Sequence, residues 1–126
     1  MSIWVKGLVV DKKNEMIISW NQEKLQFHHL SGAKAGKLLL GLKDLVPAED
    51  SISEVMLNLD YRYFYTGTQS GTIYIWKFDS SKKQIHEFKG HFKAVTSLVP
   101  VKNDLDLFLS SALDSTIRIW SLEKFQ

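Results

Sequence analysis

Ser110, His91 and Asp114 are the residue types of a nucleophile, its base and the acid that orients it. In that role Ser110 would attack a carbonyl or phosphoryl centre, His91 would take its proton, and Asp114 would hold the imidazole. The local sequence argues against it. Ser110 lies in LFLSSALDS, with no glycine on either side to build a nucleophile elbow or an oxyanion hole. Trp120 follows ten residues later, and its indole N–H can only donate. A donor-only Trp, an amphoteric Ser, a two-nitrogen His and an acceptor-only Asp have complementary hydrogen-bonding capacity. Left unpaired inside a protein, each such group costs about 1–3 kcal/mol.

Other chemical candidates are weaker. The stretch SGAKAGKL (31–38) echoes a phosphate loop but is one residue short, and Leu38 stands where Ser or Thr must reach magnesium. His28 and His29 are adjacent, so on a strand they point to opposite faces and cannot share a metal. His86 and His91 have no third ligand at a metal-site spacing. Asp44, Glu49 and Asp50 form an acidic loop cluster that no strand frame pairs as acid and base, so a solvated loop is expected. With no cysteine there is neither a disulfide framework nor a thiolate metal site. No cofactor and no metal are expected.

The elements that must position the polar residues repeat along the chain. YFYTGTQSGTIYIW (63–76) lies over LFLSSALDSTIRIW (107–120) at a spacing of 44 residues between Trp76 and Trp120. Thr66 falls on Ser110, Ser70 on Asp114, and Thr72-Ile73 on Thr116-Ile117. A third copy, MIISWNQEKLQFH (16–28), fits with one residue deleted in its turn. Ser19 takes the Ser/Thr place there, and His28 stands where the Trp belongs.

Period-2 patterns bounded by turn residues predict strands at Ile3–Val10, Glu15–Trp20, Lys24–Leu30 and Lys37–Leu42. A second group is predicted at Ser51–Asn58, Arg62–Gly67, Thr72–Phe78 and Gln84–Phe88, and a third at Lys93–Val99, Asp106–Ala112 and Thr116–Leu122. Two interior glycines argue against a helix over Gly32–Leu45. Alternation sends Phe64 to one face and Tyr63 and Tyr65 to the other, which predicts packing between sheets, with Tyr61 or Tyr63 as a secondary partner-facing choice.

The Gly90-His91 pair, the Ser strand, the Asp turn and the run ending in Trp resemble a WD repeat, whose period is about 40–45 residues. The resemblance implies an all-β fold: a partial β-propeller of about three four-stranded antiparallel blades, the last lacking its outer strand. Blade one would span about 3–42, blade two about 51–88 and blade three about 93–122, together filling 1–126. It also implies a buried structural tetrad of His91, Ser110, Asp114 and Trp120, hydrogen-bonded as a chain from Trp120 to Ser110 to His91 to Asp114. Blade two keeps Thr66 and Trp76, but has Ser70 for the Asp and Pro47-Ala48 near the Gly-His place. Blade one keeps Ser19. Propellers close with about 4–8 blades, so three repeats predict missing blades, supplied in cis or in trans. The strand Thr116–Leu122 is expected to be an edge open to pairing.

A net charge of +2 with scattered Lys and Arg, paired only at Lys12-Lys13 and Lys82-Lys83, makes no nucleic-acid stripe. No run approaches the 18 or more apolar residues of a membrane helix, and no basic leader precedes the opening MSIWVKGLVV. Neither a nucleic-acid nor a membrane partner is expected, and the location is read as cytoplasmic or cytoskeletal.

WD repeats typically bind proteins or peptides through the loops before the first strand and between the second and third. Here those loops hold Glu49, Asp50, Gln69, Phe92, Lys93 and Leu113. The expected function is therefore a non-catalytic protein–protein interaction scaffold, and not an enzyme. A structural part of a cytoskeletal or ciliary assembly is the alternative. A propeller-shaped hydrolase comes last, because the channel-side strands supply few convergent ionisable groups.

Overall fold

A computed structural model of the chain describes residues 7–11, 15–21, 24–29, 37–43, 45, 49–58, 63–77, 84–101 and 104–122. Among them are eleven strands and no helix. The first sheet runs β1 (Gly7–Asp11), β2 (Met16–Trp20), β3 (Lys24–His29) and β4 (Leu38–Lys43) in chain order. The second runs β5 (Ile52–Asn58), β6 (Tyr63–Thr68), β7 (Ile73–Lys77) and β8 (Gln84–Phe88). The third holds β9 (Val95–Val101), β10 (Asp104–Ala112) and β11 (Ile117–Ser121), with β10 in the middle. Every pairing is antiparallel between chain neighbours. The chain is all-β and folds as three propeller-type blades, the last with three described strands.

Several strand ends differ from the sequence expectation for identifiable reasons. Thr72 and Thr116 were expected to open their strands, but their N–H groups are taken by the Thr68 hydroxyl (3.1 Å) and the Asp114 carboxylate (3.0 Å), so the ladders begin at Ile73 and Ile117. Lys93 and Ala94 stay outside β9, because the Ala94 carbonyl accepts the Leu113 N–H of the facing turn at 2.9 Å. At its other end β9 continues past Val99 through Pro100 to Val101. Proline is tolerated because, among the described residues, β9 is an edge strand paired with β10 alone. Ile3, Leu30, Arg62 and Phe78, expected in strands, lie outside the described residues, as do the loop 31–36, Asp44, Pro47, Ala48, Tyr61 and the lysine pairs.

The second sheet is buried on both faces. Toward the first sheet, Phe64, Trp76, Tyr74, Val55 and Ile52 pack on Ile18, Trp20, Leu25 and Phe27. Toward the third, Tyr65, Ile73, Ile75, Met56 and Phe88 pack on Val95, Leu98, Phe108 and Trp120. Period-2 alternation accomplishes this: Phe64 meets Phe27 edge-on at 5.7 Å, while its neighbour Tyr65 meets Phe108 edge-on at 5.0 Å on the opposite face. Tyr63 packs at the margin of the Tyr65 side. A hydrogen bond from the Ser53 hydroxyl to the Val95 carbonyl (2.7 Å) joins β5 to β9 across the blade boundary.

Candidate interaction surface and the network beneath it

Strand register brings the polar residues of the third blade together. Ser110 pairs with Leu98 on one side and Arg118 on the other, with Trp120 one step away on the same face. The indole N–H of Trp120 donates to the Ser110 hydroxyl oxygen at 2.7 Å, and that oxygen lies 2.7 Å from His91 Nε2. His91 Nδ1 lies 3.0 Å from one carboxylate oxygen of Asp114 and 3.2 Å from the other. Only one proton arrangement uses every contact with a neutral imidazole: Ser110 donates to Nε2, and Nδ1–H donates to Asp114. His91, Ser110 and Trp120 are all buried. Gly90 is required beside them, because a Cβ there would stand 2.8 Å from the Trp120 ring and 3.0 Å from the Arg118 guanidinium.

Ser110 Oγ has no free face for a substrate: it takes the indole proton, contacts His91 and is 2% exposed. The catalytic geometry of a Ser-His-Asp trio is present while the access a nucleophile needs is not.

Thr116 is a fifth member that the sequence reading placed at the head of a strand. Its hydroxyl donates to Asp114 at 2.6 Å and sits 3.0 Å from His91 Nδ1. Asp114 also accepts the backbone N–H groups of Thr116 (3.0 Å) and Phe92 (3.2 Å). Burial alone would raise the Asp114 carboxyl. The bonds from the Thr116 hydroxyl, His91 and the Thr116 and Phe92 N–H groups outweigh it and hold the group well below the usual carboxylate range. A carboxyl depressed in the folded state adds stability that is complete above its unfolded value of about 4 and is lost as pH falls through the folded value. Asp114→Asn should therefore be less stable than the native chain at pH 7, with the gap narrowing below about pH 4. Urea melts from pH 7 to pH 2 measure this, and a gap that stays constant would remove the charge from the explanation.

The second blade solves the same problem with other residues. Trp76 donates to Thr66 at 3.0 Å, a buried bond. Ser70, in the turn position of Asp114, does not reach into such a network. It donates from its hydroxyl (2.6 Å) and its N–H (3.1 Å) to Asp50, which also accepts the Ser51 N–H at 2.9 Å. Within that exposed loop the Asp50 carboxylate clamps the β6–β7 turn. Thr68 closes that turn from within, donating to the Thr72 carbonyl at 2.8 Å and lying 3.1 Å from the Ser70 hydroxyl. An acid in the loop before a first strand, facing a turn that lacks one, was the available signal. In the first blade, His28 stands opposite Ile17 as Trp76 stands opposite Phe64, and Ser19 and His28 are both half-buried. Trp20 belongs to the opposite face, in the core between the first two sheets.

These networks hold one continuous end of the two blades. Glu49 and Asp50 precede β5, Gln69 lies in the β6–β7 turn, Phe92 and Lys93 precede β9, and Leu113 lies in the β10–β11 turn. Within each blade the turn is tied to the preceding loop, by Gln69 N–H to Ser51 carbonyl and Leu113 N–H to Ala94 carbonyl, both 2.9 Å. Between blades, Gly71 sits against the His91 and Lys93 carbonyls. Phe92 and Leu113 remain 71% and 63% exposed.

Residues 82–121 match the family described as WD domain, G-beta repeat. The chain is 34% identical over 73 residues to Protein ROOT INITIATION DEFECTIVE 3 of Arabidopsis thaliana, covering 58% of this chain and 16% of that protein. It is 31% identical over 65 residues to the Denticleless protein homolog of Danio rerio, covering 52% of this chain and 10% of that protein. The chain thus matches less than a fifth of the length of these curated relatives. The crystal structure of the RRP9 WD40 repeats superposes on all of this chain and 38% of its own, with a TM-score of 0.80 at 19% identity, a likeness of fold. Residues 82–121 thus carry a WD repeat, and the blade architecture of the chain is that of a WD40 propeller.

Proposed function

We propose that the chain is the WD-repeat part of a non-catalytic scaffold, and that it binds other proteins or peptides through the face holding Gln69, Phe92, Lys93 and Leu113. The exposure of Phe92 and Leu113 on tied loops carries this reading. Two large apolar side chains stand in water although the inter-sheet cores have buried most residues of their kind. Asp114 accepts the Phe92 N–H, and the same carboxylate shapes the turn that begins at Leu113, so both anchors are fixed before a partner arrives. Preorganised apolar anchors lower the ordering cost of binding, and a few such residues dominate interface energy. Glu49 and Lys93 supply opposite charges at the rim.

The test is selection of peptides from a displayed library on the native chain, followed by titration of the selected peptides against a Phe92→Ser, Leu113→Asp double variant. The variant should lose binding at least tenfold while its thermal unfolding stays within a few degrees of native. Undiminished binding would move the interaction site elsewhere.

A further inference from the structure

Charge and apolar surface are divided between the two blades that form the loop face. Phe92 and Leu113 belong to the third blade, with Lys93 beside Phe92. The matching bonds from Gln69 N–H to Ser51 and from Leu113 N–H to Ala94 align the loops, so Glu49 takes the Phe92 place, Asp50 the Lys93 place and Gln69 the Leu113 place. Glu49 and Gln69 are exposed although a sheet packs on each side of the second blade, so these positions face water by their place in the loops. The Asp50 carboxylate is engaged by the Ser51 and Ser70 donors. Glu49 and Lys93 make no ion pair and no side-chain hydrogen bond among the described residues. Burial first, and then the carboxylates of Glu87, Asp50 and Glu49, push the Tyr74 phenol up, so the field on the second-blade side is negative. Gly71, next to the clamped Ser70, sits against the His91 and Lys93 carbonyls. The acidic loop and the Phe92–Lys93 loop are thereby held side by side.

We infer that this face takes a protein segment of mixed charge, with a Lys or Arg against Glu49, a carboxylate against Lys93 and an apolar side chain over Phe92 and Leu113. The inference deepens the function proposed above and rests on it. The placement fixes an order along the partner. Lys93 directly follows Phe92, so the partner's acidic residue lies next to its apolar one. Glu49 lies across the blade boundary, so the basic residue lies farther along the segment. Exposed ion pairs contribute little to affinity, which comes from the apolar anchors; opposite charges at two places select the partner and its direction. A purely basic segment would meet Lys93 and a purely acidic one would meet Glu49, so each carries a repulsion that the mixed segment avoids.

The probes are peptides selected on the native chain from a displayed random library, synthesised with a fluorescent label and titrated by anisotropy. They should carry Asp or Glu beside an apolar residue, and Lys or Arg at one common, larger spacing from it. Glu49→Lys should weaken binding by about fivefold or more, and exchanging the peptide's basic residue for Glu should restore it. Lys93→Glu should act in the same way on the acidic position. Circular dichroism checks that each variant keeps its fold; where one does not, Glu49→Gln or Lys93→Gln serves, with the preference for the matching peptide charge collapsing to under about twofold. Binding that needs Phe92 and Leu113 but is indifferent to both charge reversals would leave the face standing and overturn the charge assignment. Binding that survives the Phe92→Ser, Leu113→Asp double variant, or a library that yields no binder, would remove the face and this inference with it.

Discussion

Trp120→Ala should destabilise the chain by about 3–5 kcal/mol, the range for removing a buried aromatic side chain. Two losses combine. The ring packs between the second and third blades, 5.1 Å from Phe88, 6.4 Å and nearly parallel to Phe108, and 6.4 Å from His91. The indole N–H also anchors the Ser110–His91–Asp114 chain. Small domains are stable by only about 5–15 kcal/mol, so this loss removes a large share of that margin and should lower the unfolding midpoint markedly. Trp120→Phe separates the two losses. It keeps much of the apolar surface but removes the donor, and Trp20→Phe is its control, because the Trp20 Nε1 has no hydrogen-bond partner among the described residues to lose. Urea unfolding followed by circular dichroism should place Trp120→Phe below Trp20→Phe by about 1 kcal/mol, the net value of one hydrogen bond. Equal midpoints would mean that packing alone accounts for the tryptophan.

Gly71→Ala should cost about 3 kcal/mol, large for the addition of one methyl group. Gly71 has φ of 98°, a backbone region disfavoured by any side chain. Its Cβ would also stand 2.8 Å from the Lys93 carbonyl oxygen and closer still to that of His91. Both obstacles are backbone, which cannot rotate aside as a side-chain tip can. The backbone term is about 1–3 kcal/mol and the steric term is similar. Because the contact joins the β6–β7 turn to the loop carrying Phe92, the damage should spread to the binding face. Amide exchange at Phe92–Ala94 should accelerate more than at β10. A stability loss without local loosening of that loop would place the strain in the β6–β7 turn alone.

The two blade boundaries differ in how visible they are in the sequence. Trp76 and Trp120, 44 residues apart in matching strings, make the second and third blades plain, because a period-2 strand between turn residues has few other readings. The resemblance to a WD repeat points to His91, Ser110 and Asp114, whose donor and acceptor capacities fit burial together. Thr116 was hidden by its own strand propensity. A Thr before Ile-Arg-Ile reads as the first ladder residue, and only the turn geometry turns its hydroxyl back to Asp114. The Asp50–Ser70 clamp was hidden by distance, since it joins residues 20 apart across an intervening hairpin.

Sequence alone determined the strand content and the blade period, because alternation acts over a few neighbours at a time, and the repeat's resemblance to a WD repeat pointed to the hydrogen-bonding residues of the third blade. Tertiary structure decided which faces of those strands are covered. Ile73 and Ile117 occupy the same place in the repeat, preceded by Thr and followed by similar residues, yet one is fully buried and the other three-quarters exposed. Among the described residues a neighbouring sheet packs on Ile73 and none packs on Ile117. The same holds for Arg118, whose charge is evident in the sequence but whose guanidinium is packed beside Gly90 and Trp120, with its Nε buried and without a hydrogen-bond partner among the described residues. Burial depends on groups far along the chain, which short-range pattern cannot carry.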